Sequence, residues 1–159
     1  MNDSLAAFRE AWADLRRLTY EFSEAVPAER WHATPHPAYA PFAKQLRHMV
    51  CVQGVYHQGL REGKVDFARK HEQYAGSLER AELLAALRAK DAELETILAG
   101  LGDRGAAELV VDFFGRTRSF TRYTAIMLQH EAIHHGEWSF YANLGGFPTP
   151  LGWKLNWGL

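Results

Sequence analysis

Between residues 5 and 26, apolar side chains recur at alternating spacings of three and four: Leu5, Phe8, Trp12, Leu15, Phe22 and Val26, with Thr19 in register. That spacing places them on one face of a helix. Asp3 or Ser4 fits its N-cap. Pro27 ends it, because proline disfavours the helical region for the residue before it. A second stripe predicts a helix from about Pro41 to Arg61. Phe42, Leu46, Met49 and Tyr56 lie on one edge of its apolar face, and Gln45, His48, Val52 and Val55 on the adjoining edge; proline suits its start and Gly63 its end. A third helix runs from Ser77 or Leu78 to about Leu98, with a leucine-rich stripe from Leu83 to Leu101, and Gly100-Leu101-Gly102 terminates it. The fourth runs from Arg118 or Ser119 to Leu144, where Gly145-Gly146, Pro148 and Pro150 stop it.

The connections are legible by composition. Residues 27–41 hold four of the six prolines, and Trp31 pins them as an ordered connection rather than a linker between domains. Residues 62–76 are polar and form a long crossing loop. Leu109 to Phe114 is too short and β-branched for a helix and reads as a single extended segment over one end of the helices. The tail from Leu151 carries Trp153 and Trp157, which predicts docking against the body or a partner. Four striped helices with a long crossover between the second and third define an all-α protein, a four-helix bundle, expected as one domain over residues 1–159.

Charge narrows the function. Eighteen basic and nineteen acidic residues give a net charge of −1, which offers nothing to nucleic acid or an anionic membrane. No apolar run is long enough to cross a bilayer. Met1-Asn2-Asp3-Ser4 lacks a basic segment followed by an apolar one, so no signal peptide is expected. The single cysteine, Cys51, excludes an intrachain disulfide and fits a reducing, cytoplasmic setting.

The eight histidines change the picture. At about 100° per residue, His130 and His134 are neighbours one turn apart, and Glu137 falls between them in angle. Tyr123, Ile126, Met127, Ile133, Trp138, Tyr141 and Leu144 cluster in the same direction, so these polar groups interrupt the stripe that faces the core. Burying them without partners costs several kcal/mol. A divalent metal satisfies two imidazoles at that spacing. His48, on the core-facing side of the second helix, is the candidate third ligand. Three neutral imidazoles favour zinc or nickel, with iron or manganese next, and leave a coordination position for water or substrate. Glu137 or Glu131 is the candidate to move a proton or to orient a ligand imidazole, with Glu137 in the better angular position. Tyr56, Tyr123 and Trp138 are the candidate walls of a small-molecule pocket. His135 points away from the pair, His57 is expected in solvent, His32 and His36 at the rim, and His71 in a polar loop. Cys51 reads as a small buried apolar residue. Arg116, Arg118 and Arg122 read as a solvated face with the capacity to meet an anion near the bundle mouth.

Two known patterns fit the histidine string. His130-Glu131-Ala132-Ile133-His134 resembles the zinc metalloprotease motif, in which the glutamate is the general base. Its continuation does not follow: Glu137 and Phe140 stand where that pattern would place a glycine and a third histidine. The better match is His130 followed by His134-His135-Gly136-Glu137, similar to the last-helix signature of the DinB/YfiT-like superfamily, with His48 in Gln45-Leu46-Arg47-His48-Met49 as the isolated histidine of the second helix. His135 and Glu137 stand where an arginine and a glutamine are usual, and the ligands are intact. The resemblance implies a bundle, often a homodimer, with an open three-histidine metal site at one end. It also implies a metal-dependent S-transferase or isomerase using a low-molecular-weight thiol cosubstrate, or a hydrolase using water. A dimeric metal-binding or interaction module without catalysis is the alternative.

Overall fold

The computed structural model describes residues 3–159. Met1 and Asn2, on which the signal-peptide reading rests, lie outside the described residues, as does the side chain of Asp3. Helix α1 (Asp3–Ala25) leads to a one-turn helix α2 (Ala28–Trp31) and then to α3 (Phe42–Glu62). A 3-10 segment (Phe67–Gln73) precedes α4 (Arg80–Glu108). Strands β1 (Val110–Phe113) and β2 (Arg116–Ser119), helix α5 (Phe120–Gly145) and helix α6 (Leu151–Trp157) complete the chain. Helix α1 already includes Asp3, so Ser4 lies within its first turn.

The long helices α1, α3, α4 and α5 pack on one another as the four-helix bundle that the periodicity predicts, with the long crossover between α3 and α4. Their apolar faces build two clusters. Leu18, Phe22, Phe42, Leu87, Trp138 and Trp153 anchor the first, and Phe8, Trp12, Leu60, Leu94, Tyr123 and Met127 the second. Every long helix passes from one cluster to the other at a polar residue: Arg16 and Thr19 on α1, Gln53 on α3, Asp91 on α4, and Glu131 with His134 and His135 on α5.

Several local expectations are revised. Leu15 is only half-buried, while Leu18 takes the core position. Ile133 and Leu144 are 62% and 53% exposed and leave the core altogether. On α4, Gly102 interrupts rather than ends the helix: at φ 57° and ψ −178° it breaks the backbone, and helical structure resumes to Glu108. The extended segment after it is one strand of a hairpin, Val110 pairing with Ser119 and Phe113 with Arg116. Phe114 and Gly115, both at positive φ (53° and 74°), make the turn, the left-handed pair that suits the twist of a two-residue hairpin. Phe114 tolerates that conformation while its ring stacks on Phe67 at 5.1 Å. The hairpin is tied to the end of α3, where Asp112 N donates to Gly63 O and Val65 N to Asp112 O.

The 3-10 segment lies along α3 and gives that helix a second covered side. Gly54 permits the approach, since a Cβ there would sit 2.4 Å from Gln73 Oε1. His57, expected in solvent, is fully buried as a result of this all-round packing. The proline-rich connection is pinned as expected, Trp31 Nε1 donating to Leu78 O at 2.8 Å. In the tail, Trp153 is fully buried with Nε1 donating to Leu18 O at 2.8 Å, so it closes this chain's own core; Trp157 stays 40% exposed.

Candidate metal centre

His48 comes from α3, and His130 and His134 from α5. The i, i+4 spacing stacks the two α5 rings one turn apart with centroids 4.6 Å apart, and His48 meets them from across the helix interface. His48 Nε2 and His134 Nε2 each lie 3.3 Å from His130 Nε2. The three donor atoms all fall within 4.8 Å of one another, and no cysteine or carboxylate among the described residues joins the group. His134 is buried, and the other two are half-buried.

The donor set fits a metal ion. A single ring nitrogen carries either one proton or one lone pair, so His130 Nε2 cannot direct a full hydrogen bond to both neighbours at once. A cation at the common focus satisfies all three. Zinc–imidazole distances of about 2.0–2.1 Å in tetrahedral geometry imply nitrogen separations of about 3.3 Å, the spacing of the two short edges here. Burial, reinforced by the neighbouring imidazoles, holds His130 down at about 3; burial first, then His134, Lys70 and His71, holds His48 down at about 4. Both are therefore neutral at physiological pH, the state in which an imidazole can ligate a metal.

Glu137 Oε2 lies 3.0 Å from His134 Nδ1. That contact fixes the tautomer with the proton on Nδ1 and leaves the Nε2 lone pair free to coordinate. Tyr56 packs edge-on to His130 at 5.6 Å. The two other expected pocket walls are core residues, both fully buried. Tyr123 donates to Tyr56 O at 2.9 Å, and Trp138 is wedged against Phe22, Phe42 and Trp153. Tyr123 and Trp138 fill the two clusters and do not line the cavity beside His48.

Glu131 turns toward α1. Its Oε1 accepts from Arg16 Nη1 at 2.8 Å and from the Thr19 hydroxyl, and His135 Nε2 lies 2.8 Å from that hydroxyl. The Arg16 fork also reaches Asp91 Oδ1 and Gln53 Oε1, both at 2.9 Å, so one buried network links all four long helices. Sequence reading missed it because Arg16 falls one position off the expected stripe, and only the partners' convergence reveals it. The glutamate of the protease-like string is thereby committed to Arg16 and Thr19, and the third histidine stands upstream on α3. Neither feature matches a metalloprotease. The resemblance implied a site at one end of the bundle, but the triad and the network sit where each helix changes cluster, in mid-bundle.

The signals at Cys51 and the loop histidines sort differently. Cys51 is a free, buried thiol, pushed up by burial. It lines a cavity of about 110 Å³ with His48, Lys44, Arg47, Lys70 and His71. His32 is exposed near Glu79, and His36 is exposed beside Tyr39. Arg116 and Arg122 are exposed and Arg118 half-buried at the hairpin and the start of α5.

A helical bundle with three convergent histidines from its second and fourth long helices is the class of protein that fold and site define together. The chain belongs to the DinB superfamily, whose family model matches residues 7–138. Among solved structures it is similar to a DinB-like protein, YjoA, from Bacillus subtilis. The two share 18% sequence identity with a TM-score of 0.65, over 95% of this chain and 97% of that one. No curated protein matches the chain. No helix among the described residues is long and apolar enough to cross a membrane.

Proposed function

We propose that this chain is a single-domain, metal-dependent cytoplasmic enzyme that transfers or isomerises a small electrophile with a low-molecular-weight thiol cosubstrate, or hydrolyses it with water. The observation that carries the reading is a three-histidine donor set with no fourth protein donor among the described residues, one of its members lining a cavity. Structural sites close their coordination with protein ligands, whereas reactive sites keep a position for substrate. A divalent first-row ion, zinc or nickel foremost, with iron or manganese as alternatives, would be held by His48, His130 and His134, and supplies a Lewis acid that lowers the pKa of a thiol or water.

The chain's own residues divide the remaining work. Glu137 orients His134 through Nδ1 and, being part-exposed, is placed to exchange a proton with solvent. Tyr56 shields His130 on one side. Glu131 acts through position, locking the helix turn that carries both α5 ligands. A homodimer is supported by Ile133, Phe140 and Leu144, exposed on α5, with Leu155, Trp157 and Leu159 exposed at the tail. The free, buried Cys51 supports the reducing compartment.

Elemental analysis of untagged protein, followed by zinc or nickel titration of chelator-treated material and a screen with mycothiol, bacillithiol and glutathione, tests the proposal. One ion per chain is expected, with a stabilisation of about 2.7 kcal/mol when free ion exceeds Kd by about a hundredfold. The His134→Ala variant should lose the ion, the stabilisation and the thiol-dependent turnover together. Undiminished metal content and turnover in that variant would overturn the assignment.

A further inference from the structure

Lys44, Arg47, His48 and Cys51 stand at i, i+3, i+4 and i+7 on α3, which puts them on one face of that helix. The 3-10 segment crosses that face and adds Lys70 and His71 to the same cavity. Lys44, Arg47 and Lys70 have no carboxylate within ion-pair distance among the described residues. Their neighbours are treated otherwise: Arg61 and Lys90 both pair with Glu93, and Arg69, next in sequence to Lys70, pairs with Glu72 at 2.7 Å. In a chain of net charge −1, three cations gathered without counter-charge around a concave surface are not a by-product of excess base. Gathering them raises the local potential and favours a multiply charged anion over a monovalent one. The guanidinium of Arg47 offers the planar fork that fits carboxylate or phosphate oxygens, and the two ammonium groups add point charge. The cavity of about 110 Å³ admits a head group of a few heavy atoms, not a whole drug-sized molecule. His48 forms one of its walls, so an anion held there lies alongside the triad.

We propose that this cavity is the subsite for the anionic head of the substrate or thiol cosubstrate, a group carrying two negative charges as a phosphate or a pair of carboxylates. The assignment rests on the reading of the triad as a reactive centre, and it places the specificity of that centre on the 3-10 segment and on α3 rather than on the aromatic core. A molecule anchored by its charged end in the cavity presents its reactive end toward the three histidines. Neutral thiols and neutral electrophiles lack that anchor.

The test uses the full-length protein stripped of metal by chelator, titrated separately with inorganic phosphate and with succinate, with chloride at matched ionic strength as the monovalent control. Binding is followed by calorimetry and by amide shifts of residues 44–51 and 67–73. Saturable binding of phosphate or succinate is expected, weakened at least fivefold in Arg47→Gln and in Lys70→Gln. Whichever of the two binds more tightly identifies the head group. Zinc stoichiometry should be unchanged in both variants. Absence of saturable binding by either anion, or equal affinity in wild type and variants, would overturn the subsite. Loss of zinc binding in the wild type with anion binding intact would instead overturn the metal reading, and the two failures are read from separate titrations.

Discussion

His130 and His134 turn toward α3, while Glu131 and His135, each one residue further on, turn toward α1. The first face gathers three imidazoles within 4.8 Å of one another, and its one charged neighbour, Glu137, meets only the outer nitrogen of His134. The second pairs its charges: every arm of the Arg16 guanidinium has a named acceptor, the Glu131 carboxylate takes two donors, and the Thr19 hydroxyl serves both Glu131 and His135, whose Nδ1 alone is left buried without a partner. A 100° rotation of the same helix separates three imidazoles that converge on one point from a group whose charges are paired. Buried polar groups that satisfy one another hold a structure together, whereas nitrogens that face one another across a shared focus are the arrangement the proposed metal ion would bridge. The DinB-like pattern H-x-x-x-H is thus carried by a helix whose next-door positions lock it in place.

The largest effect should come from breaking the charge-paired face. Glu131→Ala leaves Arg16, which is 4% exposed, with a buried charge short of its closest partner. A destabilisation of about 3–5 kcal/mol is expected, measured by urea unfolding in the presence of chelator. Glu131→Gln keeps the shape and one acceptor and should lose less. The doubly apolar Glu131→Leu with Arg16→Met should recover much of the loss, because removing both charges removes the stranded one. Metal stoichiometry of whatever folds should stay at the wild-type value. A loss below about 1 kcal/mol in Glu131→Ala would mean that the network is decoration, and the contrast between the two faces would dissolve.

A smaller effect is expected where the open face meets its one charged neighbour. Glu137→Ala removes the acceptor 3.0 Å from His134 Nδ1 and frees the ring to take either tautomer. Outer partners of ligand histidines are worth about 10–100-fold in metal affinity, and the half-exposed position of Glu137 points to the lower end, about tenfold. Competition with a chromophoric chelator measures it, and Glu137→Gln, which retains an acceptor oxygen, should recover part of the loss. Unfolding of the metal-free protein should hardly change. A drop in apo stability comparable to that of Glu131→Ala would place Glu137 with the structural face instead.

The long helices and the convergent histidine trio were legible in the sequence because both rest on periodicity, and helical geometry turns spacing directly into direction. His48 could be named because its helix face was legible, although its partners lie more than eighty residues away. Properties that depend on a second surface were not. Arg16 and Gln53 become core residues only when Asp91 and Glu131 arrive from other helices. His57 is buried because the 3-10 segment and α4 cover a side of α3 that its own pattern leaves open. The hairpin escaped notice because Arg116-Thr117-Arg118-Ser119 has no apolar alternation, and its pairing is set by the left-handed turn at Phe114-Gly115. The cationic cavity combines α3 with a segment whose composition is that of an ordinary polar loop.

His57 offers the gentlest test, since it belongs to neither face of α5 and is a structural histidine in its own right. It is fully buried, with Nδ1 3.1 Å from Glu93 Oε2, and Lys90 and Arg61 approach the same carboxylate. Burial holds it down at about 4, against the upward pull of Glu93 and in the same direction as the two cations. In the unfolded chain the same imidazole titrates near 6.5. Between these values the unfolded state binds more protons than the folded one, so stability is full above about pH 6.5 and falls as the pH drops toward 4. One proton of difference contributes at most about 1.4 kcal/mol per pH unit inside that window. His57→Gln should therefore show a shallower acid slope than the wild type by up to that amount, with the two slopes matching above pH 7. Unfolding midpoints between pH 4.5 and 8, taken in chelator so that the metal ligands contribute equally to both proteins, measure the difference. Parallel slopes throughout would show that His57 takes its proton within the fold as readily as in the unfolded chain, and burial would then not be what sets its titration.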